Sequence, residues 1–451
     1  MTPPKPASRS EKVSLWGYMR LFRQDILSAQ PAKLYRAWMA EFRTPFFQSY
    51  LCNDPTLVDL VLRQRPEDFP KSDRVREGLA PLLGQSVFLT NGDKWRHQRR
   101  IIDPAFEGGK VRDVFPAILA AAIAARDRLA ARKGQVVEVE AEASHAAADV
   151  IFRILFSIPI EHEIAAQVFN LFRSHQRSQP LLNLAAFLRV PRWFPRFHRR
   201  AARRTARDIR ALITRLVEDR LAEIDAGTAP NDLATKIMTT VDAETGTGFD
   251  AAEMVDQVAI FFLAGHETSA SALAWALYLL AADPQAQEKV YEEGKRITDN
   301  FSFSDISSLE FTRNVFRETL RLYPPVPMMV RENQCPEKFR DRDIPQGSQI
   351  VISPWHIHRH ERIWDRPDEF EPDRWQSAQV KNSSRQGYLP FSSGPRVCPG
   401  AGIAMIEGTL LLSVLVRDLK FSLDRGPEPV PVAHLTVRSR DGIRLFVNAR
   451  A

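Results

Sequence analysis

The chain of 451 residues is 44% hydrophobic and 26% charged, a soluble globular balance that excludes disordered and fibrous classes. Its three cysteines, Cys52, Cys335 and Cys398, are too few and too scattered for a disulfide framework, which points to a reducing compartment. The formal net charge is +7, but no recognised nucleic-acid motif accompanies it, so that class of partner is set aside.

At the N-terminus, Met1 to Lys12 is polar and proline-rich, without the apolar core of a secretion signal. Ser14 to Leu27 is amphipathic, and Arg20, Arg23 and Asp25 make it too charged to span a bilayer. A cytoplasmic protein is expected. Residues 1–30 read as an N-terminal segment and 31–451 as one continuous domain, since no repeat or Gly/Ser linker divides them. Phe115 to Ala131 and Ala201 to Ile224 show apolar spacings of about 3.6 residues and are predicted helices. Around the second, Arg196, Arg199, Arg200, Arg203, Arg204, Arg207 and Arg210 crowd a short span. A solvated helix face is the favoured reading, with an anionic membrane surface or an acidic protein as the sharper ones. Phe187 to Phe197 mixes aromatics with arginines, a pattern suited to touching a membrane surface, with a packed loop as the equal alternative.

The longest predicted helix runs from about Asp250 to Ala282 and stops before Asp283-Pro284. At about 1.5 Å per residue it is roughly 50 Å long. His266, Glu267, Thr268 and Ser269 interrupt its centre, which favours a buried core helix over a membrane span. Such a polar patch must be hydrogen-bonded or must serve a site. Further helices are predicted over Asp305 to Tyr323, stopped by Pro324-Pro325, and over Gly402 to Leu419. Short strands are predicted at Gln349 to Ser353 and Gly442 to Val447. The fold class is mainly α with minor β-sheets.

The most specific signal is F-x-x-G-x-R-x-C-x-G, carried by Phe391, Gly394, Arg396, Cys398 and Gly400. Five fixed types at roughly one in twenty each make a chance match on the order of one in ten thousand. The bland alternative is a buried structural cysteine. A dinucleotide loop over Gly400-Ala-Gly402-Ile-Ala-Met405 fails, because it ends in Met and no strand precedes it. The segment resembles the cysteine-ligand loop of the cytochrome P450 family, the haem-thiolate oxygenases. The implied cofactor is haem b with Cys398 as thiolate ligand to iron; no C-x-x-C-H stretch offers covalent attachment. A thiolate pushes electron density onto haem iron and favours O–O cleavage. Gly394 and Gly400 are expected to let backbone approach porphyrin and sulfur closely. Arg396 is placed for a haem propionate, Phe391 covers the sulfur side, and the following helix turns its N-terminus to the thiolate.

Other motifs fit the resemblance from about Pro31 to Val447. Ala264-Gly265-His266-Glu267-Thr268 resembles the family's oxygen-activating segment: Gly265 clears the haem face, Thr268 supplies a hydroxyl and Glu267 passes protons. Glu318 and Arg321 form E-x-x-R on one helix face. With Arg374 of Phe370-Glu-Pro-Asp-Arg-Trp they match a buried structural triad, Asp373 standing where Glu is common. Trp95 and Arg99, at helical spacing, and Arg331, seven residues after Pro324, fall where propionate contacts are implied. His356, His358 and His360 would share one face of a strand, a zinc-like pattern without an evident fourth ligand; the family has a similar stretch without metal.

The expected pocket walls are Gly78 to Phe88, Phe261, Ala264, and Pro327 to Val330 with Met328 and Val330. Their apolarity favours a fatty-acyl, terpenoid or other lipid-like substrate. No flavin or iron-sulfur fingerprint is present, so the resemblance implies electrons from a ferredoxin or flavodoxin with its reductase, and O2 as co-substrate. Arg96, Arg100 and Arg385 are candidate contacts for that acidic partner. A monomer is expected, with peripheral membrane contact as an added reading. A peroxide-driven enzyme, an isomerase or dehydratase, and a non-catalytic haem sensor or carrier stay open; the Glu267–Thr268 pair leans against the first two.

Overall fold

The computed structural model describes residues 1–43, 48–107, 110–178, 200–298, 300–433 and 435–450. The segment Phe187 to Phe197 and the arginines at 196 and 199 lie outside them.

Helices dominate, and the longest organises the rest. It spans Ala251–Ala282. Asp250 caps it: its carboxylate accepts from Glu253 N, and the Glu253 side chain accepts in return from Asp250 N. That reciprocal box satisfies two backbone donors which the first turn leaves free. Asp283 then accepts from Ala286 N and starts the next helix at Pro284. From Met254 to Ala281 nearly every residue is buried, as an all-round apolar helix requires. Its most extensive neighbour is the helix Val139–Phe156, with Ala401–Asp418 and Arg200–Asp225 also packed against it.

Gly265 meets a demand that the sequence did not announce. A Cβ there would lie 2.8 Å from Ile151 Cδ1, so the missing side chain lets the helix Val139–Phe156 come close. Gly265 also lines the cavity.

The helix expected over 305–323 is two elements. A 3-10 turn, Phe303–Ser308, precedes the helix Glu310–Leu322, and Leu309 between them leaves helical geometry at φ −93°, ψ 49°. The break is compensated: the Glu293 carboxylate accepts from Phe311 N and Thr312 N at 2.8 Å each.

A four-stranded sheet runs in the order Met39–Arg43, Gln48–Cys52, Gln349–Ile352, Met329–Glu332. The central pair is parallel and the outer pairs antiparallel, with Leu51 and Val330 both opposite Val351. Arg444–Ala449 lies between Gln135–Glu138 and Leu419–Leu423 in a second sheet, and Pro431–Ala433 pairs with Val437–Ser439.

Residues before position 31 are tied to the body. Phe370 N donates to Met1 O, Tyr323 Oη to Pro4 O, and Ala433 N to Asp25 Oδ1. Ser14 caps the helix Leu15–Gln24, which ends at Asp25.

The histidines at 356, 358 and 360 are not on a strand. They lie on the short helix Pro354–Ile357 and the turn after it. His356 Nδ1 meets Ser353 Oγ at 2.8 Å, and His360 stacks on Trp38 with centroids 4.2 Å apart. His358 accepts from Leu389 N at Nε2 and faces Arg321 O with Nδ1, so its ring is the neutral Nδ1–H form. Burial pushes the pKa of His356 and His358 down to about 3. Among the described residues no group of three His, Cys, Asp or Glu side chains could hold a metal ion.

Candidate active site

Cys398 sits on a tight loop ahead of the helix Ala401–Asp418, and its N donates to Phe391 O at 3.0 Å. The loop can turn because Ser392 and Gly394 take φ of 63° and 71°. At Gly394 a Cβ would fall 1.9 Å from Leu62 O, a collision with backbone. The tight approach is therefore to a neighbouring chain segment, where the sequence suggested porphyrin. Gly400 has φ −79° and a hypothetical Cβ 4.0 Å from Cys398 Sγ, so its demand is mild.

The thiol is deep in the molecule yet open to a cavity of about 1700 Å³. Burial raises its pKa, while a hydrogen bond from Gly400 N–H and the charge of Arg99 oppose that rise. A buried thiol held up in this way becomes a thiolate when a metal cation binds the sulfur.

On one side of the cavity, cations gather without enough anions. The Arg396 guanidinium donates to Thr90 O at 3.0 Å and Asn91 Oδ1 at 2.8 Å, and lies 4.2 Å from the Trp95 ring centroid. Arg99 donates to Asp103 and to Val397 O at 2.9 Å. Arg331 is buried on its strand and donates to Val330 O at 3.1 Å. Lys71 reaches Phe88 O at 2.6 Å, with its ammonium 3.8 Å from the Phe88 ring centroid. Among the described residues no carboxylate pairs with Lys71, Arg331 or Arg396. Burial lowers the pKa of Arg331 to about 10; burial, then Arg331 and Arg99, lower that of Arg396 to about 9. Burial and the same three arginines lower Lys71. Arg331 is buried and Lys71 and Arg396 are half-buried; cations so placed without carboxylate partners are costly, and a ligand carrying two carboxylates beside Cys398 relieves them. The residues present fit haem. Lys71 escaped sequence reading because nothing local marks it; only its bridge to Arg331 brings it there.

The long helix lines the same cavity. Within its buried stretch only Ala264, Gly265 and Thr268 are not buried. This i, i+1, i+4 set is one helix face, and it lines the cavity. Thr268 Oγ1 donates to Ala264 O at 2.6 Å. Glu267 is buried, with Arg438 Nη2 at 3.2 Å and Thr436 Oγ1 at 3.5 Å. Burial raises its pKa, and Arg438 and then Thr436 pull it back. Next to Thr268, Ser269 Oγ donates to the buried Glu407 at 2.8 Å; burial drives this second acid to about 8. Phe88, Phe106, Phe261, Met328, Val330 and Leu435 supply much of the apolar wall. Phe391 lines the same cavity near Cys398.

Glu318 and Arg321, both fully buried, make a two-point ion pair at 2.9 and 2.8 Å. Arg374 adds a contact at 2.9 Å, and Trp375 Nε1 and Glu371 N donate to the same carboxylate. Arg321 also donates to the carbonyls of His358, Pro367 and Glu369. Burial alone would raise Glu318, but Arg321 and Arg374 outweigh it and the pKa falls. None of the three lines the cavity; they lock loops together.

Two of the three suggested partner-docking cations are already neutralised. Arg96 pairs with Glu67 and Asp93, and Arg100 with Asp242 and Glu244. In the arginine run, Arg204 and Arg207 are exposed, but Arg210 turns inward to Asp256 at 2.7 Å and Leu82 O. Among the described residues no helix is long and apolar enough to cross a membrane.

A loop thiol, a group of cations without carboxylate partners and an acid–alcohol wall around one cavity define a haem-thiolate protein. The pattern described as Cytochrome P450 matches residues 27–445. Cyclooctat-9-en-7-ol 5-monooxygenase of Streptomyces melanosporofaciens is 30% identical, over 92% of this chain and 91% of that protein. A cytokinin hydroxylase of Arabidopsis thaliana is 26% identical, over 92% and 82%. The crystal structure of the cytochrome P450DA heme domain has the same fold, with TM-score 0.82 at 22% identity, covering 100% of this chain and 99% of that one. The chain belongs to the cytochrome P450 family and is a monooxygenase among the oxidoreductases.

Proposed function

We propose that this protein inserts one atom of O2 into a C–H bond of an apolar, lipid-like molecule, using electrons from a separate redox protein. The observation that carries this reading is the meeting, on one cavity, of an open thiol, cations without carboxylate partners and the Glu267–Thr268 pair. Haem b, when bound, supplies the redox chemistry. Cys398 would hold its iron. Arg331, Arg396 and Lys71 would hold its carboxylates, Trp95 and Arg99 would support Arg396 and the loop, and Phe391 would shield the sulfur. Gly394 and Gly400 shape that loop.

Ala264 leaves space on the cavity wall beside Thr268. The Thr268 hydroxyl donates to Ala264 O at rest, and its oxygen can still accept a further hydrogen bond. Glu267 takes protons from the side of Arg438 and releases them next to that hydroxyl.

The apolar walls at Phe261, Met328 and Val330 support a fatty-acyl, terpenoid or similar substrate. The relative named for oxidising cyclooctat-9-en-7-ol agrees with this choice. A ferredoxin or flavodoxin with its reductase is the proposed electron source. Arg385, exposed and without a carboxylate partner among the described residues, is the remaining cation for such an acidic protein. Residues 31–451 acting as one cytoplasmic monomeric unit, with peripheral membrane contact through 187–197, complete the proposal.

The test is turnover of long-chain fatty acids and cyclic terpenoid alcohols with a surrogate ferredoxin system under isotopically labelled O2. One labelled oxygen in the product is expected, with Thr268→Ala diverting electrons to hydrogen peroxide. Haem-loaded protein that forms product only when fed peroxide would contradict the reading.

A further inference from the structure

The cavity meets a second set of cations at the other edge of the four-stranded sheet from Arg331. Arg9, Lys12 and Lys33 line it there, and the fold brings their segments together. Arg9 bridges to Pro31; its N donates to Gln30 O at 3.1 Å and its Nε to Ala29 O at 2.7 Å. Lys33 lies just beyond Pro31, on the turn Ala32–Tyr35, and Lys12 just beyond Arg9. Both lysines are exposed. Among the described residues no carboxylate pairs with any of the three. The acids lining this end are Glu11, which is exposed, and Glu41, which Arg43 and Arg342 already hold. Positive charge is left in excess.

An apolar track joins the two ends. The Arg9 guanidinium lies 5.8 Å from the Tyr18 ring centroid, and Tyr18 packs on Phe42 with centroids 4.2 Å apart. Phe42 and Ala40, two apart on the edge strand, share one sheet face and line the cavity. Ala40 pairs with Leu51, Leu51 with Val351 and Val351 with Val330, one residue from each strand, and all four line the cavity. Val330 adjoins Arg331, where a haem carboxylate would sit. Three steps between strands of about 4.8 Å make this row roughly 14 Å long. A compact neutral ring system would leave both the length and the charge unused. We infer that the substrate is a long-chain amphiphile whose anionic head, a carboxylate or a phosphate, is held by Arg9, Lys12 and Lys33 while its chain lies along the row from Ala40 to Val330. The far end of the chain then reaches the space beside Thr268 and Cys398. This assignment rests on the oxygenation of a lipid-like molecule proposed above and selects one class among such molecules.

The experiment titrates the haem-loaded full chain with hexadecanoate, hexadecyl phosphate and hexadecan-1-ol, reading the shift in haem absorbance and, independently, the heat of binding. The better of the two anions should bind about tenfold more tightly than the alcohol, and which one it is identifies the head. Lys12→Gln/Lys33→Gln should remove most of that preference and leave alcohol binding unchanged, and raised salt should act in the same direction. Arg20→Gln, at an exposed cation that does not line the cavity, should keep the preference. Oxygen should enter near the end of the chain remote from the head. An unchanged melting temperature shows that the variants are folded. Equal binding of alcohol and anions would overturn the inference, as would a preference that survives in the double variant. Oxidation of terpenoid alcohols with no response to either anion would overturn the anionic head and leave the oxygenation intact. Tight, lysine-dependent binding of an anion that is never oxidised would do the reverse.

Discussion

Arg438 holds Glu267: its Nη2 stands 3.2 Å from Oε1, joining the C-terminal hairpin to the centre of the long helix. Burial pushes the Glu267 pKa up and Arg438 is the largest opposing influence. Arg438→Gln removes that opposition, so ionisation of Glu267 moves to higher pH. The expected result is an alkaline displacement of the turnover profile, with Glu267→Gln slower by about 100-fold or more. Steady-state rates across pH check this. An unmoved profile in Arg438→Gln would take Glu267 out of proton delivery.

Gly394 and Gly400 look alike in the motif but not in space. Gly394→Ala drives a Cβ into Leu62 O at a φ of 71°, and should abolish haem retention or folding. Gly400→Ala meets only Sγ at 4.0 Å, and should change stability by about 0.5 kcal/mol at most. Denaturant unfolding and haem content of the two variants settle the contrast; equal damage would refute it.

Glu318→Ala strands Arg321 and Arg374, which share that carboxylate while buried. Loss of about 3–5 kcal/mol is expected. Because none of the three lines the cavity, whatever protein folds should keep its haem spectrum. Near-wild-type unfolding would show that the triad is not structural.

Glu407 is a buried acid with its pKa raised from 4.5 to about 8. A raised folded-state value means its stabilising contribution is complete below 4.5 and is lost as pH climbs through about 8. Glu407→Gln keeps a neutral partner for Ser269 and removes that loss. Across this window wild type should therefore fall relative to the variant, by up to about 1.4 kcal/mol per pH unit. Parallel stability curves would contradict it.

The parts legible in the sequence were those built from short spans. The cysteine loop, the capped long helix and the E-x-x-R pair each declare themselves within a few turns of chain. The structure keeps the long helix and the helix after the cysteine loop to within one or two residues, while the helix of the E-x-x-R pair starts five residues later than expected. What stayed hidden depends on distant segments. Lys71 joins the site by a bridge to Arg331, Arg438 reaches Glu267 from a late hairpin, and Leu62 sets the need for Gly394. The packing of Gly265 on Ile151 was hidden because Ile151 belongs to another helix. The histidine alternation misled because Pro354 starts a helical turn where a strand was assumed.

The most direct test is the absorption spectrum of the reduced, carbon-monoxide-bound protein beside that of Cys398→Ala. A strongly red-shifted Soret band that disappears in the variant is the predicted result. Haem-free protein, or a band indifferent to the substitution, would contradict thiolate ligation by Cys398 and the function built on it.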